Sequence, residues 1–171
     1  MSSRKIIDLK PLEAKRFFLK HTSYINFEIP HYINFEDLLI ALSPLKIDPK
    51  FNAVCRKKDN KKNDNPAHYE RVNHIILSNK DGAYSWRPMQ IINPVLYVYL
   101  VQLITEKKNW EYIQSRFNDF SKASVNCISI PRESQDIQSD KASQVRHWWE
   151  KIEQHSIKKS LEFNHVFITD I

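Results

Sequence analysis

Two cations and one carboxylate are the side chains of this 171-residue sequence best suited to chemistry. Lys80 stands in the turn cluster SNKDG, and Arg87 in the segment AYSWRPMQII that follows. Arginine offers phosphate oxygens a rigid planar fork and lysine a mobile point charge, so a hairpin could fold both onto one triphosphate. On spacing alone the same pair also reads as ordinary solvated cations. Asp170 follows the apolar run FNHVFIT. A carboxylate oxygen at a strand end suits Mg²⁺, which often needs only one or two carboxylates plus substrate phosphates. The alternative is a carboxylate that caps a following helix or merely ends a strand. Arg56, Lys57, Lys58, Lys61 and Lys62 lie in CRKKDNKKNDNP, a polar loop that is either solvated or in contact with phosphates.

Other chemistries find little support. The seven histidines are scattered, with no HxxxH and no His/Cys cluster of zinc-binding spacing. His147 and His155 share one helix but read as surface or packing residues. With a single glycine, Gly82, the chain has no room for a GxSxG elbow or a phosphate-binding P-loop.

The elements that must position these residues follow from local pattern. Residues 10–21 predict a short helix with Pro11 near its first turn. An aromatic linker, TSYINFEIPHYI, comes next. Asn34 is expected to cap the helix FEDLLIALS, with Ile33 stapled on Leu38. RVNHIIL and AYSWRPMQII, divided by a turn cluster containing Asp-Gly, predict a β-hairpin over residues 71–92. Pro88 restricts that second strand to a sheet edge.

Asn93-Pro94 should open an apolar, buried helix, and Asn109 should cap another, together covering residues 94–121. Trp110, Ile113, Phe117 and Phe120 share one face of the second. Residues 121–138 read as an irregular loop. Residues 140–161 predict a long helix with Val145, Trp148, Trp149 and Ile152 as its apolar stripe and Arg146, Lys151, Lys158 and Lys159 elsewhere. A strand over 163–171 ends the sequence. The order of helices, hairpin, helices and strand predicts the α+β class. Residues 1–162 would form one region and 163–171 the opening strand of another sheet.

Composition sets the outer limits. A 42% hydrophobic and 12% aromatic chain can bury a core and is not a disordered polymer. Its net charge of +6 suits a polyanion such as nucleic acid, or simply a solvated basic surface. Cys55 and Cys127 form no CxxC, which fits a reducing cytosol. The N-terminus MSSRKIIDLK has no apolar core of signal-peptide length. The longest apolar run, residues 91–104, is too short to span a bilayer. These features predict a cytoplasmic protein without a membrane partner.

NKDGAYSWRP resembles the fingers hairpin of retroviral reverse transcriptases, in which a Lys-Asp turn is followed shortly by Trp-Arg. RPMQIINPVLYVYLVQLI is similar to the next block of bacterial reverse transcriptases: an arginine, a proline seven residues later, then a helix carrying a glutamine, here Gln102. FNHVFITDI resembles the strand that opens the palm. The wording of KHTSYINFEIPHYINFEDLL, WRPMQIINPVLYVYLVQLIT and NWEYIQSRF is most similar to the abortive-infection and phage-defence groups.

The resemblance covers residues from about 18 onward. It implies reverse-transcriptase fingers plus a first palm strand. Lys80 and Arg87 would bind the dNTP triphosphate. Asp170 would be the catalytic carboxylate and, with the Ile171 carbonyl, a Mg²⁺ ligand. The basic loop at Arg56, Lys57, Lys58, Lys61 and Lys62 would contact nucleic acid. An RNA template, a DNA or protein primer and dNTPs are the implied partners, with an oligomer or a completing partner chain also open.

Family members carry a later Asp-Asp pair, and Asp-Asp occurs nowhere here. The segment alone is therefore expected to be inactive as an RNA-directed DNA polymerase, because one carboxylate cannot hold two metal ions. The competing reading is a non-catalytic nucleic-acid-binding module that stacks bases on Tyr84 and Trp86. A protein-binding surface on the aromatic linker is a third.

Overall fold

The computed structural model describes residues 3–27, 29–30, 32–45, 72–79, 86–121, 129–135, 139–163 and 165. Helices and two small antiparallel sheets make it an α+β protein. No helix among the described residues is long and apolar enough to cross a membrane. The chain divides into two compact units, one continuous over residues 18–104, the other built from residues 1–17 and 105–171.

In the continuous unit the elements are α2 (His21–Tyr24), α3 (Glu36–Leu42), β2 (His74–Asn79), β3 (Trp86–Ile91) and α4 (Pro94–Thr105). Leu19, Tyr24, Ile25, Leu39, Ile91, Val98 and Val101 form its core. Part of the aromatic linker belongs to this core, whereas Tyr32 is exposed. Tyr24 meets Phe35 and Tyr97 edge to face, at centroid distances of 5.3 and 4.8 Å. Its hydroxyl donates to the Ile92 carbonyl, and that of Tyr97 donates to the Phe18 carbonyl at 2.6 Å. Burial, with Tyr24 beside it, pushes the Tyr97 hydroxyl up to about 12. Both phenols therefore serve as neutral hydrogen-bond donors.

Asn93 opens α4 as its sequence predicts, with its side-chain oxygen accepting from the Val95 amide at 3.0 Å. The expectation that α4 is buried all round needs correction. Val98 and Val101 are buried, whereas Leu100 and Leu103 lie on an exposed face. Apolar composition all round a helix does not enclose it unless neighbours exist on every side. At α3 the helix begins at Glu36, and Phe35 rather than Asn34 occupies the flanking position. Asn34 still accepts from the Glu36 amide at 2.9 Å, as a local side-chain turn.

In the second unit the elements are β1 (Ser3–Lys5), α1 (Pro11–Phe18), α5 (Lys107–Ser121), β4 (Arg132–Ser134), α6 (Asp140–Trp148), a π-helical turn (Trp149–Glu153) and α7 (Gln154–Ser160). A 3₁₀ turn, Ile6–Asp8, links β1 to α1. Strands β1 and β4 pair antiparallel, with Ser3 opposite Ser134 and Lys5 opposite Arg132. The sequence predicts neither strand. Three residues are too few to show a period of two, and the pairing is secured by polar contacts. Arg132 donates to the Ser3 hydroxyl and carbonyl at 2.9 and 3.0 Å, and Arg4 to Glu133 at 2.8 Å. Glu13, which also contacts Arg4, is held below the usual carboxylate range, first by the Lys10 amide and then by Arg4.

The core of this unit gathers on Trp110, which is 2% exposed. Its indole N–H donates to the Leu9 carbonyl at 2.9 Å, and Gln114 donates to the Ile7 carbonyl at 2.7 Å. Asn109 is not the cap of α5. The helix starts two residues earlier, at Lys107, and the Asn109 amide donates to Glu106 at 3.3 Å. Farther along, Phe120 leaves the core and lies exposed with the Arg116 guanidinium 4.9 Å over its ring.

The expected long helix over 140–161 is observed at Asp140–Ser160, interrupted by the π turn. Its apolar stripe is not buried: Val145, Trp148 and Trp149 are exposed. The predicted strand over 163–171 lies outside the described residues apart from Phe163 and His165, neither of which is in a strand.

Candidate functional site

The hairpin positions the one predicted site residue that the described residues include. Strands β2 and β3 pair antiparallel, with His74 opposite Ile91, Ile76 opposite Met89 and Ser78 opposite Arg87. Opposed residues point to the same side of a ribbon, so these three pairs share a face. At its base Ile91 is buried in the core and Ile76 packs against it. Four residues before Ile91 on the same face, about 13 Å away along the strand, stands Arg87. It is exposed, and among the described residues its side chain has no hydrogen-bond or ion-pair partner. A guanidinium with all its donors open, on a strand rooted in a core, suits an incoming anion.

The other face carries Ile75 opposite Gln90, Leu77 opposite Pro88 and Asn79 opposite Trp86. Ile75, Leu77 and Trp86 are all exposed, Trp86 to 65%. The ribbon thus presents a cation on one face and an apolar surface on the other. Sequence alternation places Trp86 and Arg87 on opposite sides, but only the register shows which side faces the core.

The hairpin's base is fixed by asparagines. The Asn73 side chain accepts from the Asn93 amide at 3.1 Å and donates to Gln90 at 3.3 Å. Asn93 therefore joins the end of β3 to the start of α4. Gln102, eight residues after Pro94, donates to the Ser43 and Leu45 carbonyls at 2.8 and 3.0 Å. Those carbonyls lie just past the C-terminus of α3, where helices leave acceptors unfilled. The block from Arg87 to Gln102 is thereby one mechanical piece: cation, core anchor, cap and clamp. The clamping by Gln102 and the bracing by Asn73 escape sequence reasoning, because each depends on a partner distant in the chain.

Lys80, Asp170, Ile171, Arg56, Lys57, Lys58, Lys61 and Lys62 lie outside the described residues, as does Gly82. Arg87 is accordingly the one residue of the predicted set placed here, and no two of that set are brought together among the described residues. The residues expected to hold Mg²⁺ fall outside that range, and within it no group of three or more His, Cys, Asp or Glu side chains converges. Compared with known proteins, the chain matches no protein-family model and no curated sequence.

Proposed function

We propose that these residues are the fingers and first palm strand of an RNA-directed DNA polymerase of phage-defence type. The observation that carries the reading is the placement of Arg87 on a core-anchored hairpin, exposed and without a partner among the described residues. In this reading Arg87, with Lys80, binds the triphosphate of a dNTP. A planar fork on a braced strand can hold phosphate oxygens in fixed orientation, which is the positioning that phosphoryl transfer requires. The Asn73–Asn93 contacts and the Gln102 clamp keep that strand in place. Mg²⁺, held by Asp170 and the Ile171 carbonyl, would neutralise charge on the phosphates.

The test is primer extension on an RNA template by the polymerase that contains these residues. Arg87→Ala should raise the KM for dNTP at least about tenfold, the loss of one charge-assisted contact, while RNA affinity changes little. An unchanged KM would remove the proposal's main support. The 171-residue chain alone should incorporate no nucleotide.

A second reading, a non-catalytic nucleic-acid-binding module, is favoured by one observation: the exposed apolar face bearing Trp86. Under it, Arg87→Ala would instead weaken RNA binding and lower its salt slope by about one.

A further inference from the structure

The N-terminal half of the 140–160 helix carries a shallow, largely open hollow of about 580 Å³. Val145, Trp148 and Trp149 form its apolar part, and Lys141, Arg146 and the capping Ser139 border it. The two tryptophans are exposed to 42% and 50%, unusual for side chains that elsewhere in this unit supply the core. Arg146 and Trp149 are three residues apart, hence neighbours on the helix surface, about 5–6 Å between Cβ atoms. Lys141 lies one turn before Val145 on the same side, about 10 Å along the axis from Trp148. No carboxylate borders the hollow among the described residues. Two acids adjoin it in sequence: Asp140, which accepts from the Ser134 amide at 2.7 Å, and Glu150, next to Trp149. Directly after Trp148 the helix widens into the π turn, a distortion that often accompanies functional sites.

We infer that this hollow binds single-stranded nucleic acid, with unpaired bases stacked on Trp148 and Trp149 and phosphates on Lys141 and Arg146. The charge pattern selects the occupant. An apolar peptide would gain nothing from two bordering cations, whereas a nucleotide strand presents a flat ring and an anion within the distances available. Aromatic rings accept any base, so the contact is sequence-tolerant, and its cationic part is salt-dependent. The site lies on a different helix from the hairpin and does not require that Arg87 bind a triphosphate.

The test uses the 171-residue chain and a fluorescein-labelled 12-nucleotide oligouridylate, read by anisotropy. Trp148→Leu/Trp149→Leu should weaken binding about tenfold or more, as loss of base stacking predicts. Lys141→Glu should weaken it several-fold and reduce the salt slope. Circular dichroism of each variant checks that the helix remains. Unchanged affinity in a folded double variant overturns the inference, as does failure of the wild-type chain to bind the oligonucleotide. Sedimentation of the same proteins covers the other occupant. If the wild type self-associates and the double variant is monomeric with undiminished RNA affinity, the face is an interface between copies and the inference is wrong. Neither result depends on dNTP kinetics, so this site and the Arg87 proposal stand or fall separately.

Discussion

Trp110 and the Trp148–Trp149 pair belong to the same unit, sit on helices of similar amphipathic pattern, and meet opposite fates. Trp110 is enclosed, and Leu9, itself buried, offers a carbonyl to its N–H. The later pair sits on a helix whose described contacts leave Val145 and both indoles exposed to solvent. The difference lies in what the rest of the chain supplies to cover each stripe, not in the stripes themselves. A period of 3.6 identifies a face able to be buried; it does not identify a face that is buried. Where a large apolar face remains open and cations border it, binding becomes the more economical explanation than packing.

The sharpest way to break this contrast is substitution of each member. Trp110→Ala should cost about 3–5 kcal/mol, from the cavity it leaves and the lost Leu9 contact, whereas Trp148→Ala should cost under about 1 kcal/mol. Urea denaturation of both variants measures the gap, and equal losses would mean that the 140–160 helix is packed after all. The two helix caps give a smaller version of the same comparison. Asn93→Ala removes a cap at the seam between hairpin and core helix and should cost roughly 1–2 kcal/mol. Ser139→Ala removes the cap of the exposed helix, where the Ser139 hydroxyl accepts from the Ala142 amide at 3.2 Å, and should cost about 0.5 kcal/mol in the same assay.

The smallest effect concerns His147. Partial burial, then the nearby Arg132 and Lys151, lower its pKa from the ordinary 6.5. The folded state therefore favours the neutral ring, and the unfolded state takes up protons first. The resulting contribution to stability is present above pH 6.5 and is lost as the pH falls through the folded-state value. Melting temperatures at pH 7.5 and 5.5 should differ more for the wild type than for His147→Gln. An identical pH response in the two would show that His147 is solvated like a free histidine.

Much of this architecture is legible in the residues. The hairpin announces itself through β-branched runs around a turn cluster, and Asn93-Pro94 states the start of α4 in two letters. The α+β class follows from the order of such segments. Illegible were features set by distant partners: the short β1–β4 ladder held by Arg4 and Arg132, the Gln102 clamp on the end of α3, and the start of α5 ahead of Asn109. For the candidate site, residue type and the family resemblance put Arg87 among several candidates, while spacing alone leaves it an ordinary solvated cation. They could not tell that its face of the ribbon is the one that runs down into the core, because facing is a property of register and packing together. The exposure of the 140–160 stripe was hidden for the same reason.

The β1–β4 ladder also has a consequence in time. Arg4 and Glu133, which it brings together, are 129 residues apart in the chain. At ribosomal speeds of about 5–20 residues per second, the first strand waits roughly 6–25 s for its mate to be made. Meanwhile the continuous unit, residues 18–104, already has every residue of its own core. The order of assembly is thus written into the connectivity. The inserted unit matures first on the nascent chain, and the outer unit closes later across a long gap, the kind of distant pairing that slows folding most. Protease challenge of chains stalled at successive lengths would show protection of residues 18–104 preceding that of residues 3–17. Simultaneous protection of both would refute this order.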